Sequence, residues 1–164
     1  MSVTIDISPL LGHAARHRLR VHAESVMARP PDEIIGDAYL RRWHVAKRRA
    51  WSCYVHLYVG DDPAPWLHDH PWPSLSLCLQ GSLHEHGLDR HGRPSRAAIT
   101  PGILAWRPAR FAHRLDLTAS RALTLFVAGP RTREWGWCLP EGWRPWHEVS
   151  RVDADGVTRT TFPT

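Results

Sequence analysis

The chain has 164 residues, of which 43% are hydrophobic and 23% charged, and its formal net charge is +5. This length and composition are typical of one globular domain, and they exclude a largely disordered chain. Three widely spaced cysteines without a Cys-x-x-Cys pair argue against a disulfide framework and against a thiolate zinc site.

The sequence contains no apolar run long enough to span a membrane and none of signal-peptide length near its start. We therefore expect a cytoplasmic protein. Arginine supplies most of the positive charge, in clusters within residues 16–20, 41–49 and 131–133. A nucleic-acid-binding face would need these clusters to form one surface, so nucleic-acid binding is not favoured.

The first half of the chain predicts a helix followed by strands. Residues 9–29 have a helix-forming composition, and the Pro30-Pro31 pair must end that helix. Residues 51–59 (WSCYVHLYV) are rich in β-branched and aromatic side chains and stop at a GDDPAP turn, which predicts a strand. Residues 74–81 (SLSLCLQG) alternate leucine with small polar residues, as a strand with two different faces does.

Further short apolar runs (RAAITPGILAW, FAHRLDL and RALTLFVAGP) follow, with glycine and proline between them. Short strands at this spacing predict an antiparallel sandwich or barrel of the jelly-roll type. The expected organisation is a single all-β domain over residues 1–164. It would have a helical or irregular N-terminal extension over 1–50, a barrel core over 51–130 and a Trp- and Pro-rich cover over 131–164.

The histidines suggest a metal site. Twelve histidines in this length produce about one His-x-His pair by chance, so a pair alone carries little weight. Two pairs occur, His68/His70 and His84/His86. Residues two apart on a strand point to the same face, so His68 and His70 can both reach one ion. A third ligand must then come from a neighbouring strand.

The residues around His68 and His70 resemble the first motif of the cupin superfamily. In that motif a glycine precedes a His-x-His pair, and a glutamate and a second glycine follow it. This chain has the glycines at Gly60 and Gly81, and Ser74 stands at the glutamate position.

A second cupin motif begins with glycine and continues with proline, a turn glycine, histidine and asparagine. Gly102, Pro108 and His113 match this order, whereas Arg110 and Leu117 replace the turn glycine and the asparagine. Two partial motifs in the correct order make the resemblance more specific than either motif alone.

The resemblance covers residues 60–117 and implies a cupin-type double-stranded β-helix with three neutral imidazole ligands, His68, His70 and His113. Such a site is similar to the three-histidine iron centre of thiol dioxygenases within the cupins. It suits one divalent transition metal, with Fe(II) favoured and zinc, nickel or copper as alternatives. Because no carboxylate offsets the charge of the ion, the site favours a small anionic substrate.

Two charged residues are candidates for catalytic roles. Glu85 lies on the strand after Gly81 and can serve as an extra ligand, as the partner of a ligand or as a surface charge. Arg107 lies beside the second motif and can hold a carboxylate through two hydrogen bonds. His84 and His86 share the opposite face from Glu85 and are expected to face solvent.

Alternation along the strands gives further expectations. Tyr54, His56 and Tyr58 share one face, which either lines the cavity or faces outward. Alternation through residues 74–80 places serine and cysteine on the metal-facing side and leucine on the other side. Asp69, between two proposed ligands, is expected to point away from the ion and to form a local hydrogen bond.

The segments YLRRWHV, LHDHPW and GPRTREWGW are similar to a group of small single-domain bacterial and phage cupins. This similarity implies the fold and a metal more than a reaction.

We favour a metal-dependent enzyme resembling an Fe(II) dioxygenase. The alternatives are a metal-assisted isomerase or hydrolase in which Glu85 moves a proton, a non-catalytic metal- or ligand-binding cupin, and a metal-free epimerase-like cupin. A homodimer is compatible with the sequence.

Overall fold

The structure, a computed structural model, describes the backbone of residues 1–152 and 158–160 and the side chains of residues 1–149. Its helices are α1 (Ser8–Val26) and α2 (Trp146–Val149). Its strands are β1 (Val3–Asp6), β2 (Glu33–Ile35), β3 (Leu40–Lys47), β4 (Ser52–Tyr58), β5 (Leu67–His68), β6 (Ser74–Gln80), β7 (Leu83–Leu88), β8 (Pro94–Ile99), β9 (Ile103–Arg107), β10 (His113–Leu117), β11 (Ala122–Ala128), β12 (Gly136–Leu139), β13 (Gly142–Pro145), β14 (Ser150–Val152) and β15 (Thr158–Thr160).

Two antiparallel sheets form the body of the described chain. The seven-stranded sheet has the order β1-β9-β6-β11-β4-β3-β2, and the six-stranded sheet has the order β13-β12-β5-β10-β7-β8. Both sheets combine consecutive strands, such as β3 and β4, with strands that are distant in sequence, such as β6 and β11, as in a jelly roll. The predicted all-β fold with an N-terminal helix is therefore confirmed.

Helix α1 covers the outer face of the seven-stranded sheet. Ala23 of the helix is buried against an apolar layer that includes Val55, Leu77, Leu79 and Leu123. The helix carries Pro near its start and is interrupted at Gly12, where φ is +61°. No described helix combines the length and the apolar character needed to cross a bilayer.

The opposite face of that sheet lies inside the barrel. At one end of the interior, side chains from both sheets form an apolar core. Its buried members are Leu40, Tyr58, Cys78, Leu83, Ile99, Ala105, Leu115 and Ala122. Because both faces of the seven-stranded sheet are covered, β4 and β11 contain apolar residues on each face.

Residues 1–50 contribute more than the expected helical or irregular extension. β3 pairs with β4 along its whole length, and β1 pairs with β9 at the edge of the same sheet. The basic residues of β3 hide its alternation in the sequence, since Arg42 points into the barrel while Arg41 is exposed. Of the expected cover over residues 131–164, residues 153–157 and 161–164 lie outside the described residues.

Two glycines with the same backbone conformation differ in their surroundings and provide a test of the fold. Gly81 (φ +73°) lies between β6 and β7, and a Cβ there would stand 1.9 Å from the carbonyl oxygen of Arg121. Gly92 (φ +75°) has no atom within 4 Å of the equivalent position.

We expect Gly92→Ala to lower the free energy of unfolding by about 1–2 kcal/mol, the cost of the left-handed conformation. Gly81→Ala should lower it by about 2–5 kcal/mol, because the backbone of β11 must also move. Urea denaturation of both variants measures the difference. Equal losses in the two variants would contradict the described packing of the turn after β6.

Candidate metal centre

Three histidines meet between neighbouring strands of the six-stranded sheet. His68 ends β5 and pairs directly with His113, the first residue of β10. His70 follows β5 by two residues. The ring centroids lie 5.1 Å (His68 to His70), 5.3 Å (His68 to His113) and 5.1 Å (His70 to His113) apart. One ligating nitrogen from each ring lies within 4.8 Å of the other two.

Glu85 sets the proton position on His113. The Nδ1 atom of His113 lies 2.8 Å from Oε1 of Glu85. An ionised carboxylate can only accept a hydrogen bond, so Nδ1 carries the proton and Nε2 carries the lone pair. Burial lowers the pKa of His113 to about 4, although Glu85 acts in the opposite direction. His113 is therefore neutral, and its free Nε2 lies beside His70, where it is available to a metal ion.

The spacing of the nitrogens fits one shared ion. Nε2 of His70 lies 2.8 Å from Nε2 of His113. Two imidazole nitrogens bound at right angles to an ion at about 2.1 Å lie about 3 Å apart. Burial, followed by the nearby His113 and His68, holds the pKa of His70 well below its usual value. The residues present fit a divalent transition metal held by neutral imidazoles.

His68 has an acidic neighbour on the side away from the cluster. Its Nδ1 lies 3.1 Å from Oδ2 of Asp62, a distance typical of an ion pair but without the angle of a hydrogen bond. Asp62 is buried and accepts a hydrogen bond from the backbone of Ala64 through Oδ1. A carboxylate beside one ring nitrogen favours the other nitrogen as the ligand.

A buried ion pair between Glu85 and Arg107 contacts the candidate ligand His113. Glu85 is 2% exposed and Arg107 is 3% exposed. Arg107 donates through Nε to Oε1 of Glu85 and through Nη1 to the hydroxyl of Ser76 (3.1 Å), while the Ser2 hydroxyl donates to Oε2 of Glu85 (2.8 Å). Burial opposes ionisation of Glu85, but Arg107 and His113 outweigh it and lower its pKa. Glu85 is thus ionised and accepts a hydrogen bond from Nδ1 of His113.

The three histidines border a cavity of about 280 Å³ between the two sheets. Arg107, one of the two proposed catalytic residues, lines this cavity together with the three histidines. The other lining residues are mainly aromatic or charged. They include Tyr39, Arg42, His56, Tyr58, Asp62, Trp72, Phe126, Trp135 and Trp137.

The structure decides the alternatives that alternation left open. Tyr54, His56 and Tyr58 point into the barrel, while Val55 packs beneath α1. Ser74, Ser76 and Cys78 share the inner face of β6, as expected. Cys78 lies in the apolar core rather than among the three grouped histidines, and burial raises its pKa to about 12.

Asp69 points away from the histidines but does not form the local hydrogen bond expected from the sequence. It accepts hydrogen bonds from the backbone N–H of Gly136 (2.8 Å), from Nε1 of Trp143 (3.0 Å) and from Arg133. These partners are 64 to 74 residues away along the chain. Asp69 therefore connects the segment between two candidate ligands to the strands β12 and β13.

Sequence reasoning missed several residues of the cavity wall. Trp135 and Trp137 lie beside His68, with ring centroids 6.2 Å and 5.1 Å from it. Arg42 enters from β3, and alternation of Leu40, Arg42 and His44 was the signal that could have placed it there. No comparable pattern marked Trp135 and Trp137, because a loop separates β12 from the preceding strand β11 and alternation does not continue through it.

The ligand assignment predicts the effect of two histidine substitutions. We expect His113→Ala to lose stoichiometric metal binding, because it removes a ligand that two strands hold in place. His86→Ala is the matched control, because His86 points away from the cluster and lies 2.7 Å from Asp116. Elemental analysis of both variants after identical purification measures the difference, and equal metal contents would contradict the assignment.

The buried neutral histidines predict a pH dependence of stability for the metal-free protein. His113 has a pKa of about 4 in the folded chain, against an ordinary histidine pKa of 6.5, so the unfolded chain binds more protons between these pH values. The free energy of unfolding should therefore decrease as the pH falls from about 7 to 4, with His113 alone contributing of the order of 3 kcal/mol.

Urea denaturation at several pH values measures this decrease. In His113→Ala the proton uptake on unfolding should be smaller by about one proton. A free energy that stays constant or rises toward pH 5 would show that these rings are not held neutral.

Comparison with known structures identifies proteins that share this fold. No protein-family model matches the chain, and no curated protein matches it in sequence. A Bacillus subtilis oxalate decarboxylase with Mn(II) centres superimposes with a TM-score of 0.51 and 10% identity, over 67% of this chain and 30% of that one. A variant of the same decarboxylase gives 0.52 and 11%, over 71% and 33%. The chain spans about a third of the length of these neighbours. At this identity the likeness concerns the fold alone, and that fold is the cupin double-stranded β-helix.

Proposed function

We propose that this protein is a metal-dependent cupin enzyme that uses dioxygen to oxidise a small anionic substrate, in the manner of a dioxygenase. The observation that supports the proposal is the grouping of three imidazoles, with no carboxylate among them, at a cavity. Such a set suits Fe(II) and leaves coordination positions open. The structural neighbours have Mn(II) centres, which makes manganese the first alternative metal.

When bound, the metal would supply Lewis acidity and redox chemistry toward dioxygen. No carboxylate among the candidate ligands would balance the charge of the ion, so this charge favours an anion beside it. Arg107 adds a guanidinium to the same cavity. We assign it the role of orienting the anionic group of the substrate, and its bonds to Glu85 and Ser76 fix its position.

The aromatic side chains give the cavity its second property. Phe126 and the rings of Trp72, Trp135 and Trp137 line the same space as the histidines. An apolar wall excludes water from a reactive site and provides contact area for a planar substrate. The cavity volume of about 280 Å³ limits the substrate to a small molecule.

The surroundings of Glu85 favour a positioning role over proton transfer. Its carboxylate is bonded to Arg107, His113 and Ser2 and is absent from the cavity lining among the described residues. A general base must reach the proton that it removes, and its pKa must lie near the working pH. The lowered pKa and the position of Glu85 give little support to the isomerase or hydrolase alternative.

Elemental analysis and oxygen uptake together test the proposal. The protein would be purified without chelator, its metal content measured, and oxygen consumption followed with a panel of thiols, keto acids and hydroxy acids. We expect about one iron per chain and oxygen uptake that one of these acids or thiols triggers. His113→Ala should lack both, whereas His86→Ala should retain both.

Other outcomes favour the alternatives. Stoichiometric zinc, with no oxygen uptake before or after anaerobic loading with Fe(II), would favour the non-catalytic binding protein or a hydrolase. Protein that contains no metal and gains none on loading would favour the metal-free alternative. Oxygen uptake by manganese-loaded protein alone would keep the reaction class and replace the metal.

A further inference from the structure

The cavity has two chemically different walls. The histidines belong to the six-stranded sheet or directly follow it, at β5 and β10. The facing wall belongs to the seven-stranded sheet, where Arg42 (β3) and His56 (β4) are direct neighbours in register. The proposed reaction uses the first wall and Arg107, and it assigns no role to Arg42 and His56.

His56 is a buried hydrogen-bond donor without an acceptor. Nε of Arg42 donates to Nε2 of His56 over 2.9 Å. A guanidinium has only donors, so Nε2 is the acceptor and the proton of the neutral ring lies on Nδ1. His56 is 2% exposed, and its Nδ1 has no partner in the part of the chain that the structure describes. The ring cannot turn away freely, since it stacks on Phe126 with centroids 4.7 Å apart.

Two further donors belong to residues that line the same cavity. The indole Nε1 of Trp72 is buried and has no partner among the described residues. Arg42 uses Nε for His56 and Nη1 for Glu33 (2.8 Å), and no described group accepts a hydrogen bond from its Nη2. The N–H groups of His56 and Trp72 are buried donors without acceptors, which are rare and costly, and this points to a ligand that supplies the acceptors.

These three groups define the ligand chemistry. Arg42, the neutral His56 and Trp72 offer only donors toward the cavity, so an amine or ammonium group would find no acceptor from them. A carboxylate offers two acceptor oxygens and a negative charge, which suits a guanidinium with two neutral N–H groups beside it. Phe126 and Tyr58, on the same wall, provide aromatic surface for a flat apolar body.

We propose that Arg42, His56 and Trp72 form a second anchoring site, which binds a carboxylate on the wall opposite the three histidines. The substrate class is then a small planar acid, with its carboxylate at this site and a second oxygen or sulfur function directed at the histidines. The second half of this statement depends on the proposed function, whereas the carboxylate site itself needs no metal and no turnover.

An ordered water is the competing occupant. Oγ1 of Thr124, opposite His56 in register, is also buried without a partner. A water between Thr124 and His56 would satisfy both groups and leave no role for a ligand. The test must therefore measure binding of a carboxylate and its dependence on the three proposed residues.

The probe is benzoate, a planar carboxylate with an apolar ring, and its neutral isostere benzamide is the comparison ligand. Calorimetric titration of the metal-free chain should show benzoate binding that is at least about tenfold tighter than benzamide binding. Arg42→Gln should raise the dissociation constant of benzoate about 10- to 100-fold, since a charge-assisted hydrogen bond is lost. Arg41→Gln, on the exposed face of the same strand, should leave it within about twofold.

Trp72→Phe provides a second test that keeps an aromatic ring and removes only the N–H donor. It should weaken benzoate binding about 3- to 10-fold without changing the circular dichroism of the protein. Absence of benzoate binding up to about 10 mM, or equal binding by the wild type, Arg42→Gln and Trp72→Phe, would overturn the proposal. Absence of benzoate binding would indicate that an ordered water, and no ligand, occupies the site.

The result also separates the two proposals. Benzoate binding that depends on Arg42 in a protein without oxygen uptake would retain the anchoring site and reject the dioxygenase. Oxygen uptake in a protein that does not bind benzoate would retain the reaction and reject the anchoring site.

Discussion

Glu85 places a carboxylate in the barrel interior, where an unpaired charge would cost several kcal/mol. Its partners come from three separate parts of the chain: Arg107 at the end of β9, His113 at the start of β10 and Ser2 ahead of β1. Pairing this one charge therefore fixes the position of a candidate ligand and of a cavity guanidinium relative to each other. It also decides which nitrogen of His113 faces the candidate ion.

A second buried carboxylate holds the other side of the site in a comparable way. Asp69, 4% exposed, lies between two candidate ligands and collects donors from Arg133, Gly136 and Trp143. These bonds draw β12 and its aromatic neighbours against β5, where Trp137 pairs with His68 in register. The aromatic wall of the cavity and the positions of the histidines are therefore set by the same residues.

Double coverage of the seven-stranded sheet explains why the cavity has a polar wall. Helix α1 supplies an apolar layer for the outer leucines, so this sheet does not depend on its inner face for all of its hydrophobic burial. The inner face can then carry Arg42, His56 and Ser76 at one end, while the other end is filled by the apolar core. The outer residues thus stabilise a sheet whose inner polar residues are available for binding.

The sequence alone determined the class of fold and singled out three histidines that the structure groups together. Alternation in residues 74–80 identified both faces of β6, and two partial cupin motifs brought His68, His70 and His113 together as one hypothesis. The fold and the grouping could be predicted because strand periodicity and motif spacing are local properties, whereas the ligand role of the three histidines stays a prediction. The same local reasoning assigned residues 1–50 to a helical or irregular extension, since the arginines of β3 resemble a solvated surface until the neighbouring strand is known.

Only the tertiary structure decided which charges are paired and which donors lack partners. Glu85 had three open roles in the sequence, and its contacts with residues far along the chain distinguish them. Asp69 was assigned a local hydrogen bond, yet its acceptors are satisfied by residues of β12 and β13. The polarity of the wall formed by Arg42, His56 and Trp72 depends on register between strands and on ring stacking. Pairing of distant residues follows from how the sheets close, and no pattern within a single strand contains that information.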